Sequence, residues 1–359
     1  MRARLLTAGY ESLLRPFLFR AHGGDPEAIH ETTIHLLERV GRTRARNLIQ
    51  HLVGVPKDPV TVAGVRFRGR VGVAAGLDKD GIAGPIWANL GFGFAELGTV
   101  TAQPQPGNPT PRLYRLQRSQ ALINRMGFNN LGAQALADRL DNLGVKRGQN
   151  TLGIPLGISI GKTKTVPLEK AIDDYLISLE ALHRNADYIA VNISSPNTEG
   201  LRSLQAGVLA YDLVKALVDK ASALDATNPQ PIFVKVAPDL SQTQLDDLLE
   251  AVVRAGASGL IATNTTMSRD RVVGVDAKYL RQPGGLSGRP LTQLSRRIVA
   301  RVVQSSLPVI ASGGIMTPSD AKALFDLGAK AVQVFTGFIY SGPGLVAGIN
   351  ALPSQKEIR

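Results

Sequence analysis

Short runs of branched apolar residues recur from about residue 59 onward, each followed by a loop rich in Gly, Asn or Pro and then by a longer amphipathic stretch. The runs are VGVAAG (71–76), GFAELGTV (93–100), PLGISI (155–160), YIAVNI (188–193), PIFVKVAP (231–238), SGLIATN (258–264), LPVIASGG (307–314) and AVQVFTG (331–337). They are apolar on both faces rather than alternating, which suits parallel strands covered on two sides. The stretches between them carry helix punctuation. Pro167 opens PLEKAIDDYLISLEALHR, Ser241 stands where it can cap QTQLDDLLEAVVRAG, and Thr317-Pro318 makes a cap and first turn for SDAKALFDLG. Gly256 and Gly328 each follow a helical pattern, as C-terminal glycines do. Eight such units over about 280 residues predict an α/β fold, a closed (β/α)8 TIM barrel, in preference to an open doubly wound sheet. The open sheet would want a GxGxxG after its first strand, and none is present.

The first 55 residues follow another pattern. In GDPEAIHETTIHLLERV, Asp25 is placed as an N-cap and Pro26 at the first helical position, with Ile29, Leu36, Leu37 and Val40 along one side. Before it, RLLTAGYESLLRPFLF sets Leu5, Leu6, Leu13, Leu14, Phe17 and Leu18 among Arg2, Arg4, Arg15 and Arg20. This predicts two short amphipathic helices appended to a barrel of residues 56–359. Either they cover the barrel's bottom or mediate dimerisation, or they lie on a membrane with apolar residues in the headgroup region and Arg on anionic lipid.

Composition narrows the chemistry. The 359 residues include no Cys, which removes disulfides, thiolate metal sites and cysteine nucleophiles. Lys and Arg exceed Asp and Glu by 41 to 29, so an anionic partner is expected; at 5% aromatics, nucleic acid is the weaker choice. The N-terminus is broken by Glu11, Arg15 and Pro16 and does not read as a cleavable signal peptide, and no apolar run is long enough to span a bilayer.

Barrel enzymes build their sites where strands end. Those ends offer Lys79, Thr99, Asn192, Ser195, Asn197, Lys235, Thr263, Asn264 and Thr265, with glycine turns at Gly313-Gly314 and Thr336-Gly337. The two turns, at the last two strands, are natural phosphate cradles. None of the five His lies at a predicted strand end, and carboxylates there are few, so no metal site is expected. No GxSxG elbow occurs. Neutral amides, hydroxyls and Lys suit grip on a planar, anionic ligand and redox chemistry on a bound organic cofactor. A flavin barrel using a pyridine nucleotide, and a non-catalytic basic barrel binding nucleic acid or membrane, remain as alternatives.

The stretches AAGLDKDG, ELGTVTAQPQPGNPTPRLYR, INRMGFNN, VNISSPNTEGLR, VKVAPDL, TNTT and GGLSGRP together resemble the dihydroorotate dehydrogenases, specifically the membrane-associated, quinone-reducing class 2. The resemblance covers nearly the whole chain. It implies oxidation of (S)-dihydroorotate to orotate in pyrimidine synthesis, with FMN taking the hydride and a membrane quinone taking the electrons. It further implies Ser195 as the catalytic base, where the cytosolic class 1 enzymes use a Cys that this chain lacks. Substrate contacts would come from Lys79, Asn124, Arg125, Met126, Gly127, Phe128, Asn192, Asn197, Asn264 and Thr265. FMN contacts would come from Ala75, Gly76, Leu77, Asp78, Lys79, Thr99, Ser159, Asn192, Lys235, Thr263, Gly288, Gly314, Phe335 and Thr336. His30 and Arg115 match positions lining a quinone tunnel, and the N-terminal helices would rest on the cytoplasmic side of the cell membrane as a peripheral anchor. Two departures stand out: ISIGKTK places Ser159 and Thr163 where the family often has asparagines, and Phe335 stands where it often has tyrosine.

Overall fold

The computed structural model describes residues 1–353; the last six residues of the expected barrel segment lie outside them. Eight parallel strands close into a barrel in sequence order: β3 (Val71–Val73), β4 (Phe94–Val100), β7 (Leu156–Ile160), β8 (Tyr188–Asn192), β9 (Ile232–Val236), β10 (Gly259–Ala262), β12 (Val309–Ser312) and β13 (Ala331–Val334). Each falls within one of the eight apolar runs. Every residue of these strands is buried, the outward ones under helices and the inward ones in the barrel. The outer layer is α5 (Ala133–Asn142), α6 (Ala171–Leu182), α7 (Gly207–Leu224), α8 (Gln242–Arg254), α9 (Thr292–Val302), α10 (Pro318–Asp326), α11 (Thr336–Ser341) and α12 (Pro343–Asn350). The caps act as read: Ser241 and Gln244 form a capping box on α8, and Thr317 and Asp320 form one on α10. Pro167 opens only a short 3₁₀ turn, Leu168–Lys170, before α6 begins.

Two small sheets add to this frame. The hairpin β1 (Val60–Val62) and β2 (Val65–Phe67) closes the end of the barrel where the strands begin. Its Phe67 stacks on Phe94 at 4.0 Å between ring centroids and packs beside Tyr188, in one cluster with Phe233, Ile261 and Ile310. At the other end, β5 (Leu113–Leu116), β6 (Ala121–Asn124) and β11 (Gly285–Gly288) form an antiparallel sheet from the loops after β4 and β10.

The N-terminal extension is more helical than expected. Backbone runs from α1 (Arg2–Gly9) through a π-helical turn into α2 (Arg15–Arg20), bends at residues 21–24, and continues as α3 (Pro26–Gly41) and α4 (Ala45–Val53). Asp25 caps α3 by accepting from the N–H groups of Glu27 and Ala28 at 2.8 and 3.1 Å. The segment 45–53 escaped the sequence reading because its apolar positions fill barely two turns. The extension does not cover the barrel's bottom, which the hairpin occupies. It packs on α11 and α12: Thr7 lies against Gly344, the Tyr10 hydroxyl donates to Ile339 O at 2.8 Å, and Arg15 donates to Tyr340 O at 2.9 Å. Of the apolar side predicted for α3, Ile29 is buried and Leu37 and Val40 pack on the core. Leu36 stays exposed, with Leu5, Leu13, Phe17, Leu48 and Leu52.

Candidate active site

One cavity of about 870 Å³ runs from between the N-terminal helices to the C-terminal ends of the barrel strands. Its outer reach is apolar, lined by Leu6, Leu14, Leu18, Phe19, Leu37 and Ile49. His30 of α3 and Arg115 of β5 stand along it. Arg115 donates to Phe19 O and Gly24 O at 3.2 and 2.8 Å and lies 4.0 Å over the Phe19 ring. Burial and the neighbouring Lys79 charge bring the His30 pKa down to about 3, so its imidazole is neutral.

The inner end is polar. Asn192, ending β8, donates to the Thr99 hydroxyl at 2.9 Å and accepts from Asn264 Nδ2 at 3.1 Å. Asn264 also donates to Ser194 Oγ at 3.0 Å, and its Oδ1 accepts from the Thr265 N–H at 2.8 Å. Asn197 donates through Nδ2 to Asn124 Oδ1 at 3.0 Å and through its backbone N–H to Ser195 Oγ at 3.3 Å. Ser195 is buried. Three strand ends, of β4, β6 and β8, and the two loops after β8 and β10 thus converge on one patch of amides and hydroxyls. Lys79, at the cavity wall, has its pKa lowered chiefly by desolvation, against the raising effect of Asp80 and Glu27.

At the barrel centre Lys235 Nζ lies 3.6 Å from Glu96 Oε1, and Glu96 Oε2 accepts from Gln333 Nε2 at 2.7 Å and the Tyr188 hydroxyl at 3.2 Å. The turns Gly313-Gly314 and Thr336-Gly337 line the same end. Gly314 has φ 72°, and a Cβ there would run into the Thr292 backbone, so only glycine fits. Thr336 shares a 2.8 Å hydroxyl contact with Ser287.

Of the residues singled out from sequence, the cavity brings together Ser195, Lys79, Asn124, Met126, Gly127, Phe128, Asn192, Asn197, Asn264, Thr265, Ala75, Gly76, Leu77, Thr99, Lys235, Thr263, Gly288, Gly314, Phe335, Thr336, His30 and Arg115. Three expected contacts do not line it. The Asp78 carboxylate turns into the protein, accepting from Ala83 N and Trp87 Nε1 at 3.0 and 2.9 Å. Burial raises its pKa to about 6. Arg125 reaches Gln282 Oε1 and the Tyr114 hydroxyl, at 3.0 and 2.8 Å. Ser159 sits behind Thr99, 2.9 Å between hydroxyls, and stands one layer from the cavity because its side chain is short. Sequence reasoning missed Glu96, Gln333, Ser287 and Ser312. Glu96 and Gln333 had a signal: a carboxylate inside FAELGTV and an amide inside AVQVF mark inward positions that the core must satisfy. Among the described residues no group of three or more His, Asp or Glu is placed to hold a metal, and no helix is long and apolar enough to cross a membrane.

The family profile described as dihydroorotate dehydrogenase matches residues 59–352. The dihydroorotate dehydrogenase (quinone) of Chloroflexus aurantiacus is 47% identical over 350 residues, 95% of each chain. That of Salinispora arenicola is 49% identical over 340 residues, 94% of this chain and 96% of its own. Among solved structures, DHODH from Eimeria tenella in complex with ferulenol superposes with a TM-score of 0.81 at 34% identity, covering 91% of this chain and 90% of that one. A family profile matched across the whole barrel, with relatives alike from end to end, means that this chain belongs to the dihydroorotate dehydrogenase family.

Proposed function

We propose that this protein oxidises dihydroorotate to orotate in pyrimidine synthesis and delivers the electrons, by way of FMN, to a quinone. The observation that carries this reading is the single cavity that joins an apolar passage between helices to a polar pocket at the strand ends. A lipophilic electron acceptor suits the first part and a small, planar, anionic substrate the second. The relatives named as quinone enzymes favour quinone over a pyridine nucleotide.

The residues present fit FMN and substrate. Asn197 Oδ1 and Gln333 Oε1 are buried acceptors without a hydrogen-bond partner among the described residues, and both side chains line the cavity. Ring N–H groups of orotate and of a flavin would satisfy such acceptors. The glycine turns at 313–314 and 336–337 would take the phosphate, and Lys235, Thr99, Thr263 and Gly288 the ring system. FMN, when bound, supplies the acceptor for the hydride that leaves C6 of the substrate and the route for electrons to the quinone.

The chain's own part is binding and proton transfer. Lys79 offers a cation to the substrate carboxylate, and Asn124, Asn192, Asn197 and Asn264 orient the ring by its amide groups. Ser195 takes the C5 proton as its own hydroxyl proton passes on to water in the cavity, so that Oγ carries anionic character while it acts. Among the described residues no imidazole or carboxylate is hydrogen-bonded to it. The Asn197 N–H, donating at 3.3 Å, stabilises negative charge as it builds on Oγ in a buried setting. Lys235, backed by Glu96, faces negative charge that grows during reduction. Residues 1–55 act as the quinone-side unit. Exposed Leu13 and Phe17, at 77% and 72%, with exposed Arg20 about one turn from Phe17, lay it peripherally on the cytoplasmic face of the cell membrane.

Anaerobic addition of dihydroorotate to the FMN-loaded protein should bleach the flavin absorbance, and a quinone should restore it. Bleaching without restoration would keep the dehydrogenase and overturn the quinone. No bleaching would overturn the whole reading.

A further inference from the structure

The N-terminal extension reaches the substrate end of the cavity through a partly buried ion pair. Glu27, in the first turn of α3, meets Arg112 in the loop before β5. Arg112 Nε lies 2.9 and 3.1 Å from the two carboxylate oxygens, and its Nη2 lies 2.7 Å from Oε1. The two side chains keep 14% and 11% of their surface, so this is an ion pair largely removed from water. The guanidinium's other arm holds the loop it belongs to: Nη1 donates to Pro106 O and Asn108 O at 2.6 and 2.8 Å. Only a planar, forked cation makes both sets of contacts at once.

Asn108, fixed in this way, joins the loop to the substrate pocket, as does Gln105, whose Nε2 donates to Gly127 O at 2.9 Å. Asn108 Nδ2 donates to Arg125 O at 2.9 Å and to Asn197 O at 3.2 Å, and its N–H donates to Met126 O at 2.9 Å. Asn197 in turn bonds Asn124 and Ser195, as described above. Hydrogen bonds therefore run from a helix on the quinone side to the residue that carries the proposed base.

We propose that Glu27 is a positioning residue for substrate binding: through Arg112 it holds the 104–112 loop against Asn197, so that the N-terminal extension sets affinity at the dihydroorotate end of the cavity as well as serving the quinone. This rests on the functional reading above. Glu27 does not line the cavity. Its removal leaves the Arg112 guanidinium among carbonyls that cannot balance its charge, and the loop relaxes to let it reach water. The electrostatic and positioning effects have opposite signs. Replacing Glu27 by Gln makes the site more positive by one charge near Lys79, which by charge alone tightens binding of an anion such as orotate. Loss of the loop contact weakens it.

The test is an orotate titration of the FMN-loaded protein, read by flavin absorbance, for wild type, Glu27→Gln, Arg112→Lys and the control Glu38→Gln. Glu38 pairs with Arg42 on the same helix at 2.8 Å, away from the loop. Positioning predicts orotate binding weakened roughly tenfold in Glu27→Gln, the effect of about 1.4 kcal/mol in the loop contact, and weakened also in Arg112→Lys, which keeps the charges but cannot fork. Glu38→Gln should bind as wild type does. Unchanged or tighter binding in Glu27→Gln would overturn the inference while leaving the functional reading intact. Should Glu27→Gln not fold, unchanged binding in Arg112→Lys would overturn it equally. Wild-type protein that takes up FMN but binds no orotate would sink the functional reading, and the inference with it.

Discussion

The Lys235–Glu96 pair offers the most direct energetic test of the site. Glu96 is fully buried and, among the described residues, its Oε1 has no hydrogen bond and its one cation is Lys235 Nζ at 3.6 Å. At an effective dielectric of about 20, two unit charges at that separation attract by about 4–5 kcal/mol. Lys235 opens to the cavity, and water there weakens the attraction, so a measured coupling of about 2–3 kcal/mol is expected. Lys235→Met leaves the carboxylate with Gln333 and Tyr188 and should cost about 3–4 kcal/mol. Glu96→Gln in the same background should return part of that. The assay is urea unfolding of FMN-free protein for the four members of the double-mutant cycle, followed by the fluorescence of Trp87, the chain's one tryptophan, which is fully buried. Working without FMN keeps ligand binding out of the comparison. A coupling below about 0.5 kcal/mol would refute the reasoning, because a buried 3.6 Å pair would then not act as an energetic unit.

Ser195→Ala should retain FMN but slow flavin bleaching by dihydroorotate by roughly 10²- to 10⁴-fold, the usual range for a lost general base; stopped-flow absorbance checks it, and an unaltered rate would remove Ser195 from proton transfer. Leu13→Asp combined with Phe17→Asp should abolish co-sedimentation with vesicles containing anionic lipid while sparing bleaching by dihydroorotate, since both side chains point away from the core. For His30 the folded pKa, about 3, lies below the unfolded value of 6.5, so the unfolded chain binds more protons between them. The stability this contributes is complete above pH 6.5 and is lost as pH falls toward 3. Asp78 acts oppositely, its contribution present below 3.8 and lost as pH rises through about 6. Comparing wild type with His30→Gln cancels the Asp78 effect: between pH 7 and 5 wild type should lose about 1–2 kcal/mol more than the variant in urea unfolding, and parallel losses would mean that His30 is not held neutral.

What was legible in the sequence was what neighbours along the chain decide. A strand buried on both faces has to be apolar throughout, so the eight barrel strands show as eight branched runs. A helix start is settled within four residues, which is why Asp25, Ser241 and Thr317 were readable as caps. Glycine turns and the Asn-, Ser- and Thr-rich strand ends were visible for the same reason, and the absence of Cys removed whole classes of chemistry. The hairpin at the barrel's bottom carried a local signal too, in the alternation of VTV and VRF around Ala63-Gly64, but nothing in it says that Phe67 will stack on Phe94.

The rest follows from barrel closure. Closing the sheet carries Glu96 of β4, Gln333 of β13 and Lys235 of β9 to one point, and no spacing along the chain encodes that meeting. The same closure turns Asp78 inward toward Trp87 and keeps Ser159 behind Thr99, although both lie in stretches that resemble a flavin site. In the sequence Glu27 is marked only by a first-turn position, where the helix dipole favours a carboxylate. Only the packing of α3 beside the loop before β5 gives it Arg112, and through Arg112 a hold on the substrate pocket. Periodicity and capping are local energies and leave their mark in the order of residues. Which charge meets which across the barrel is decided by burial, because a polar group taken out of water must find its partner wherever the fold brings one.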